Sequence, residues 1–141
     1  MGVRDDLLSV PLEARFAYDE HRNIFFLNLE GVSIRTVDEL TDAAGVIEAR
    51  LAAVGRAVNL VVNYDNFTLV PELSDAFAAA VRGMSRYYAS VTRYSTSAFL
   101  RLKLADHLVD RGLPPHLYES RAEAIAASRR YAASAERTSD D

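Results

Sequence analysis

The segments NLVVNYDNF (59–67) and VTRYSTSAFL (91–100) are the clearest indication of the fold of this 141-residue chain. Each begins with apolar or β-branched residues, continues into amide and hydroxyl side chains, and then enters a helical pattern. Open α/β sheets place their binding sites at strand ends of this kind. The two segments therefore predict neighbouring strands with a functional edge. Neither contains a nucleophile paired with a base, a metal-ligand spacing or a phosphate-binding glycine loop.

The elements before the second segment are predicted from the spacing of hydrophobic residues and from the residues that begin and end helices. Two aromatic-rich stretches, 13–19 and 23–29, predict a β-hairpin. Thr36 and Glu39 form a capping box that opens an amphipathic helix ending at Gly55. The apolar run 58–63 that follows predicts a central strand buried on both faces.

The carboxy-terminal half continues this alternation of strands and helices. Pro71 starts a helix, 91–94 forms a strand, and the hydroxyls at 95–97 cap a third helix. A short strand at 116–118 precedes a second capping box at Ser120 and Glu123. The sequence therefore predicts an α/β fold, a single domain with a mixed β-sheet flanked by helices in the order ββαβαβαβα.

Composition predicts one globular domain, since 50% of the residues are hydrophobic and 26% are charged. We expect 1–12 to be an N-terminal segment, 13–133 the folded domain and 134–141 a flexible acidic tail. The formal net charge of −4 argues against a nucleic-acid surface, which needs clustered cations to neutralise phosphates.

The sequence also predicts a cytoplasmic location. It contains no cysteine, which excludes disulfides, thiolate metal sites and cysteine nucleophiles. The charged first residues lack the apolar core of a signal peptide. No window approaches the roughly 18 apolar residues of a membrane span.

Catalytic and metal-binding candidates are few. The three histidines lie far apart without a second ligand type at a metal-site spacing, so no metal or cofactor is expected. Asp65 follows the central strand and could present a carboxylate at the sheet edge, but with Asn63 and Asn66 it also forms a typical Asx turn. An enzyme that uses Asp65 with the hydroxyls of 95–97 stays open as an alternative.

Four sequence blocks together resemble a known family. They are VNYDNF (62–67), PEL (71–73), YYASVTRYSTSAFLRLKL (87–104) and PHLYES (115–120). In order and spacing they resemble the carboxy-terminal domain of bacterial acyl-CoA transferases related to the acetate and 3-ketoacid enzymes, over about 15–126. This resemblance implies a STAS-like fold, the fold of anti-sigma-factor antagonists.

The resemblance does not imply transferase activity. The glutamate that forms the covalent CoA thioester in those enzymes belongs to the preceding catalytic domains, and no residue here corresponds to it. The STAS phosphoacceptor serine belongs to an Asp-Ser-Ser-Gly-like segment, where this chain has Pro71, Glu72, Leu73 and Ser74. We therefore expect a noncatalytic interaction or regulatory module with a partner related to acyl-CoA transferases. A homodimer and a monomer are both compatible with the sequence.

The expected working surface combines the two turns that follow the predicted strands 58–63 and 91–94. Its amides and hydroxyls would orient a partner loop or a small anionic ligand, helped by free amides at the helix start, and Phe67 and Tyr94 would supply apolar contact. The predicted binding residues are Asn63, Tyr64, Asp65, Asn66, Phe67, Arg93, Tyr94, Ser95, Thr96 and Ser97.

A carrier of a small apolar or acyl ligand is the alternative function. It would hold its ligand between the sheet and the helices, in a continuous cavity lined by residues such as Phe25, Phe77 and Met84. A filled core would favour the interaction module instead.

Overall fold

The computed structural model describes residues 11–113 and 115–139, without the side chains at 107 and 132–139. The strands are β1 (Phe16–Asp19), β2 (Ile24–Asn28), β3 (Ser33–Ile34), β4 (Val58–Asn63), β5 (Thr68–Leu69), β6 (Tyr88–Tyr94) and β7 (Leu117–Tyr118). The helices are α1 (Val37–Val54), α2 (Ser74–Gly83), α3 (Ala98–Val109) and α4 (Arg121–Ser139). The predicted mixed α/β fold with a single small domain is confirmed.

The main sheet has five strands in the order β1-β2-β4-β6-β7. β1 pairs antiparallel with β2, as the predicted hairpin requires, and the other neighbours are parallel. β4 lies at the centre, and its first five residues are buried. A nearly continuous apolar run is the pattern expected for a parallel strand covered on both faces.

Helix α1 shows how local signals set the element boundaries. The Thr36 side chain accepts a hydrogen bond from the Glu39 amide at 3.1 Å, and the Glu39 carboxylate accepts one from the Arg35 amide at 3.2 Å. Gly55 ends the helix with a φ of 82°, which favours a residue without Cβ. Both predicted ends of this helix are confirmed.

The two faces of the sheet bury different sets of helices. Leu60 and Val62 of β4 belong to the larger core, which also contains α1, α2 and α3 residues such as Leu51, Phe77 and Leu104. Val61 points the other way and packs with Ile24 of β2 and Ala124 of α4. Alternation along β4 therefore divides the core into two layers, because successive side chains of a strand point to opposite faces.

Some predicted boundaries change in the structure. β6 begins at Tyr88 rather than at 91, because the 3-10 turn Ser85–Tyr87 follows α2 and leaves Tyr88 extended. The helix predicted from Pro71 opens with a 3-10 turn, Pro71–Leu73. The short parallel pair β3–β5 was not predicted.

At its carboxy-terminal end the structure differs from the predicted domain boundary. Helix α4 continues to Ser139, beyond residue 133; alanine, which has the highest helix propensity, is frequent in the part of the helix before that position. The N-terminal segment predicted for 1–12 lies largely outside the described residues, as do 140–141. In the described part of the chain, no helix combines the length and the apolar composition needed to cross a membrane.

Candidate functional site

The structure brings the two predicted turns together at one edge of the sheet. β4 and β6 are parallel neighbours, and Asn63 is paired with Tyr94 at their carboxyl ends. The Tyr64 amide donates to the Tyr94 carbonyl oxygen at 2.9 Å. The turn after β4 and the turn after β6 therefore start side by side.

Asp65 joins these turns through a single carboxylate oxygen. Its Oδ1 accepts hydrogen bonds from the Ser95 hydroxyl at 3.1 Å, the Thr96 amide at 2.7 Å and the Thr96 hydroxyl at 3.0 Å. Hydrogen bonds to an ionised carboxylate are stronger than those between neutral groups. Asp65 thus acts as a cross-link between segments 30 residues apart in the chain.

The amide side chains of the first turn are used locally, in agreement with their interpretation as turn chemistry. Asn63 Oδ1 accepts from the Asp65 amide at 2.9 Å, and Asn63 Nδ2 donates to Asn28 Oδ1 at 3.2 Å. Asn66 adopts a φ of 55°, a left-handed conformation that asparagine tolerates. The turn is therefore defined by its own side chains.

Three of the amides at the start of α3 donate to acceptors within the chain. Besides the Thr96 amide, the Ser97 amide donates to Ser95 Oγ at 3.2 Å and the Leu100 amide to Ser97 Oγ at 3.2 Å. Arg101 is also engaged, since its Nη1 donates to the Ser95 carbonyl oxygen at 2.6 Å. The Asp65 carboxylate occupies the place at the start of α3 that the sequence assigned to a ligand.

Four of the predicted binding residues lie inside the protein. Tyr64 and Phe67 are each 4% exposed, Arg93 is 2% exposed and Ser95 is fully buried. Phe67 turns inward because its amide closes a tight turn onto the Tyr64 carbonyl oxygen at 3.1 Å, and the two rings pack edge to face at 5.1 Å. These four side chains are therefore not exposed at this edge of the sheet, and their role as binding residues stays a prediction.

The other predicted residues form an accessible rim. Asn66, Thr96 and Ser97 are exposed, and Tyr94 is half-buried. Burial raises the pKa of the Tyr94 phenol, and the positive charge of Arg121 opposes this shift. The rim leads directly into the first turn of α3.

Helix α3 presents an apolar outer face that the sequence prediction missed. Phe99 and Leu102 are each 67% exposed and Val109 is 53% exposed. Lys103 Nζ lies 4.8 Å from the centroid of the Phe99 ring. The available signal was the set of apolar residues left over once Leu104 and the rest of the buried stripe are assigned to the core.

An internal cavity of about 70 Å³ lies between the sheet and the helices α1 and α2. Phe77 and Met84 line it as expected for a carrier, whereas Phe25 belongs to the core but not to the cavity wall. Its lining is apolar except for Arg93 and the phenols of Tyr64 and Tyr88.

The hydroxyl groups beside Asp65 differ in exposure. The Ser95 hydroxyl donates to Asp65 Oδ1 from a fully buried residue, whereas the Thr96 hydroxyl donates to the same oxygen from an exposed residue. Among the described residues, no group of three or more His, Asp or Glu side chains is placed to hold a metal ion.

Comparison with known proteins adds no relationship. No protein-family model, curated protein or solved structure matches this chain.

Proposed function

We propose that this chain is a cytoplasmic, noncatalytic STAS-like module that binds a protein partner belonging to acyl-CoA transferase metabolism. The apolar outer face of α3, formed by Phe99, Leu102 and Val109, is the observation that carries the proposal. The sequence blocks resembling the carboxy-terminal domain of these enzymes supply the class of partner.

The α3 face has the composition of an interface centre. Phe99 and Leu102 lie one turn apart on one side of α3, and the exposed Asp106 separates them from Val109. Exposed apolar side chains that lie together mark interaction sites, and aromatic anchors supply much of the binding energy of protein interfaces. Fully burying an exposed Phe or Leu side chain contributes about 1.5–3 kcal/mol. Because Phe99 and Leu102 are each 67% exposed, the two together offer about 2–4 kcal/mol. That range matches the effect of a binding hot spot.

Polar groups at the start of α3 fit the rim of the same interface. Thr96 and Ser97, which directly precede α3, are exposed, and so is Asn66, which follows the Asp65 carboxylate that Thr96 donates to. Interfaces typically combine an apolar centre with a polar, solvent-accessible rim. The amides and hydroxyls retain the orienting role predicted for them, while Phe99 and Leu102 replace Phe67 as the source of apolar contact.

The use of Asp65 supports a noncatalytic role. A general base needs a reachable proton on a substrate, whereas the Asp65 oxygen that faces the second turn accepts three hydrogen bonds from the chain itself. We assign Asp65 and Ser95 a structural role, in which they hold the two turns of this edge together and so position α3.

Calorimetric titration with a purified acyl-CoA transferase core that lacks its own carboxy-terminal domain tests this function. We expect saturable binding to the core, with affinity reduced about 30- to 700-fold in the variant Phe99→Ser/Leu102→Ser, the equivalent of about 2–4 kcal/mol at 1.4 kcal/mol per tenfold. The matched control is Val37→Ser, which removes an apolar side chain that is 57% exposed at the start of α1.

Three results would contradict parts of the proposal. A lack of binding to the core, to CoA and to acyl-CoA would remove the link to acyl-CoA transferases. Equal binding by the double variant would exclude the α3 face as the binding surface. Concentration-dependent sedimentation that the double variant abolishes would instead assign this face to a second copy of the chain.

A further inference from the structure

Helix α3 carries a regular row of side chains on its outer surface. In this outer row, Phe99, Leu102, Asp106 and Val109 follow one another at spacings of three, four and three residues, and all are exposed. Because an α-helix has 3.6 residues per turn, this spacing keeps the row on one side of α3. The buried Leu104 lies on the opposite side, in the core. The outer row therefore faces away from the sheet.

The spacing indicates the shape of the element that covers the row. Alternating steps of three and four residues are the a and d positions of a heptad, where the side chains of one helix fit between those of a second helix. At 1.5 Å per residue the row is about 15 Å long, so a helix of about three turns spans it. An added strand has little to pair with, since the neighbouring edge strand β7 consists of Leu117 and Tyr118 alone. A helix is thus the element that fits the row.

The surface beside the row leaves room for a second helix. A groove runs from α3 to the segment before and within β7, and it is lined by Ala98, Arg101, Leu102, Ala105, Pro115 and Leu117. Because the distance between packed helices depends on the side chains at their contact, Ala98 and Ala105 allow a close approach. Apolar side chains of a partner helix therefore reach both Leu102 and the groove.

Asp106 adds a charge to this otherwise apolar row. In the part of the chain that the structure describes, its carboxylate takes part in no ion pair, and the Lys103 ammonium lies 4.8 Å from the centroid of the Phe99 ring. An apolar surface placed over Asp106 would remove water from the carboxylate without replacing its hydrogen bonds, which is costly. A Lys or Arg opposite it would supply both the charge and the hydrogen bonds. Single polar residues at a positions of coiled coils fix partner and register in this way.

We infer that the outer row binds one amphipathic helix of the partner, and that this helix has an apolar seam interrupted by a Lys or Arg that faces Asp106. The inference rests on the proposed function, because it identifies the element of the partner that covers the same face of α3. A second copy of the chain has no cation in its own row. Parallel α3 helices would bring two Asp106 carboxylates together, and antiparallel helices centred on the row would set Asp106 against Leu102. The row therefore selects its partner by charge as well as by apolar contact.

Synthetic helical peptides test the site without the natural partner. Three peptides of about three heptads share an apolar a and d seam and carry side-chain staples, which keep so short a helix folded. They differ only at one central seam position, which is Lys, Gln or Glu. In fluorescence anisotropy titrations with the full chain, we expect saturable binding, with the Lys peptide about tenfold or more tighter than the Glu peptide and the Gln peptide between them. Opposite charges attract and like charges repel at a desolvated contact.

Charge reversal at Asp106 separates this contact from general charge effects. The variant Asp106→Lys should invert the order of affinities, so that the Glu peptide binds most tightly. The matched control Asp42→Lys makes the same change of charge at an exposed position of α1 and should keep the order of the unmodified chain. The variant Phe99→Ser/Leu102→Ser should weaken binding of all three peptides, since they share the apolar contact.

The inference fails if the Lys and Glu peptides bind equally, or if Asp106→Lys leaves their order unchanged. It also fails if the transferase core binds through α3 while none of the peptides binds, a result that leaves the interaction function in place. Binding of the Lys peptide without binding of the core supports the helix site and removes the acyl-CoA transferase from the proposed function. Sedimentation that shows self-association of the chain through Phe99 and Leu102 would assign the row to a second copy instead.

Discussion

Replacement of Asp65 by alanine removes one oxygen that accepts three hydrogen bonds. Loss of the acceptor for the Thr96 amide resembles loss of a helix cap, which costs about 1 kcal/mol. The fully buried Ser95 hydroxyl loses its carboxylate acceptor, at a further cost of about 1–2 kcal/mol. We expect the free energy of unfolding to fall by about 2–3 kcal/mol, which for a chain of this size lowers Tm by about 6–9 °C.

Asp65→Asn distinguishes the bonding geometry from the charge. All three hydrogen bonds end on Oδ1, and an amide side chain keeps a neutral oxygen at that position. The loss for asparagine should therefore be less than half of that for alanine, measured by urea unfolding with Asp42→Asn on the exposed surface of α1 as the control. Stability of Asp65→Ala within about 0.5 kcal/mol of the unmodified chain, the usual range for surface changes, would refute a cross-linking role.

Other substitutions test the core, the turns and the pH response. Leu104→Ala in the core of α3 should lower the free energy of unfolding by about 2–4 kcal/mol, whereas Leu102→Ala on the same helix should change it by about 0.5 kcal/mol or less. The denaturant midpoint of Gly55→Ala should fall by the equivalent of about 1 kcal/mol, because φ at this position is 82°. The midpoint of Gly45→Ala should rise, because this position is exposed in the interior of α1, where alanine favours the helix. A change of the same sign in both variants would contradict the assignment of these opposite effects to backbone conformation. Burial, assisted by a nearby positive charge, lowers the pKa of His116 below 6.5, so the unfolded chain binds the proton first and stability should fall as pH drops through that value. Thermal melts between about pH 7.5 and 5 should show a flatter profile for His116→Gln, and an unchanged slope would exclude this histidine as the cause.

Local signals were sufficient for most of the fold. The cap at Thr36 and the left-handed turn at Gly55 defined α1, and the continuous apolar run of β4 placed it at the sheet centre. The pair β3–β5 escaped prediction because strands of two residues have no measurable period. The start of β6 was predicted at residue 91 rather than at Tyr88, because the 3-10 turn before Tyr88 interrupts the spacing that separates helix from strand.

The site was less accessible to prediction because it depends on contacts between distant residues. The sequence indicated that the turns containing Asp65 and Thr96 lie at one edge, but their hydrogen bonds connect positions about 30 residues apart. Inward rotation of Phe67 depends on the turn geometry rather than on its apolar character. The exposure of Phe99 could not be predicted from its apolar character, because it depends on which face of α3 fills the core.

Hydrogen exchange of the chain with and without an acyl-CoA transferase core tests the proposed interaction surface most directly. We expect the core to slow exchange of the backbone amides in Ala98–Val109, with a smaller effect on the backbone amide of Asn66 in the rim and little change in α1. The Phe99→Ser/Leu102→Ser variant should lose this protection. Protection confined to other elements, or the same protection of α3 in the double variant, would contradict an interaction module that works through this face.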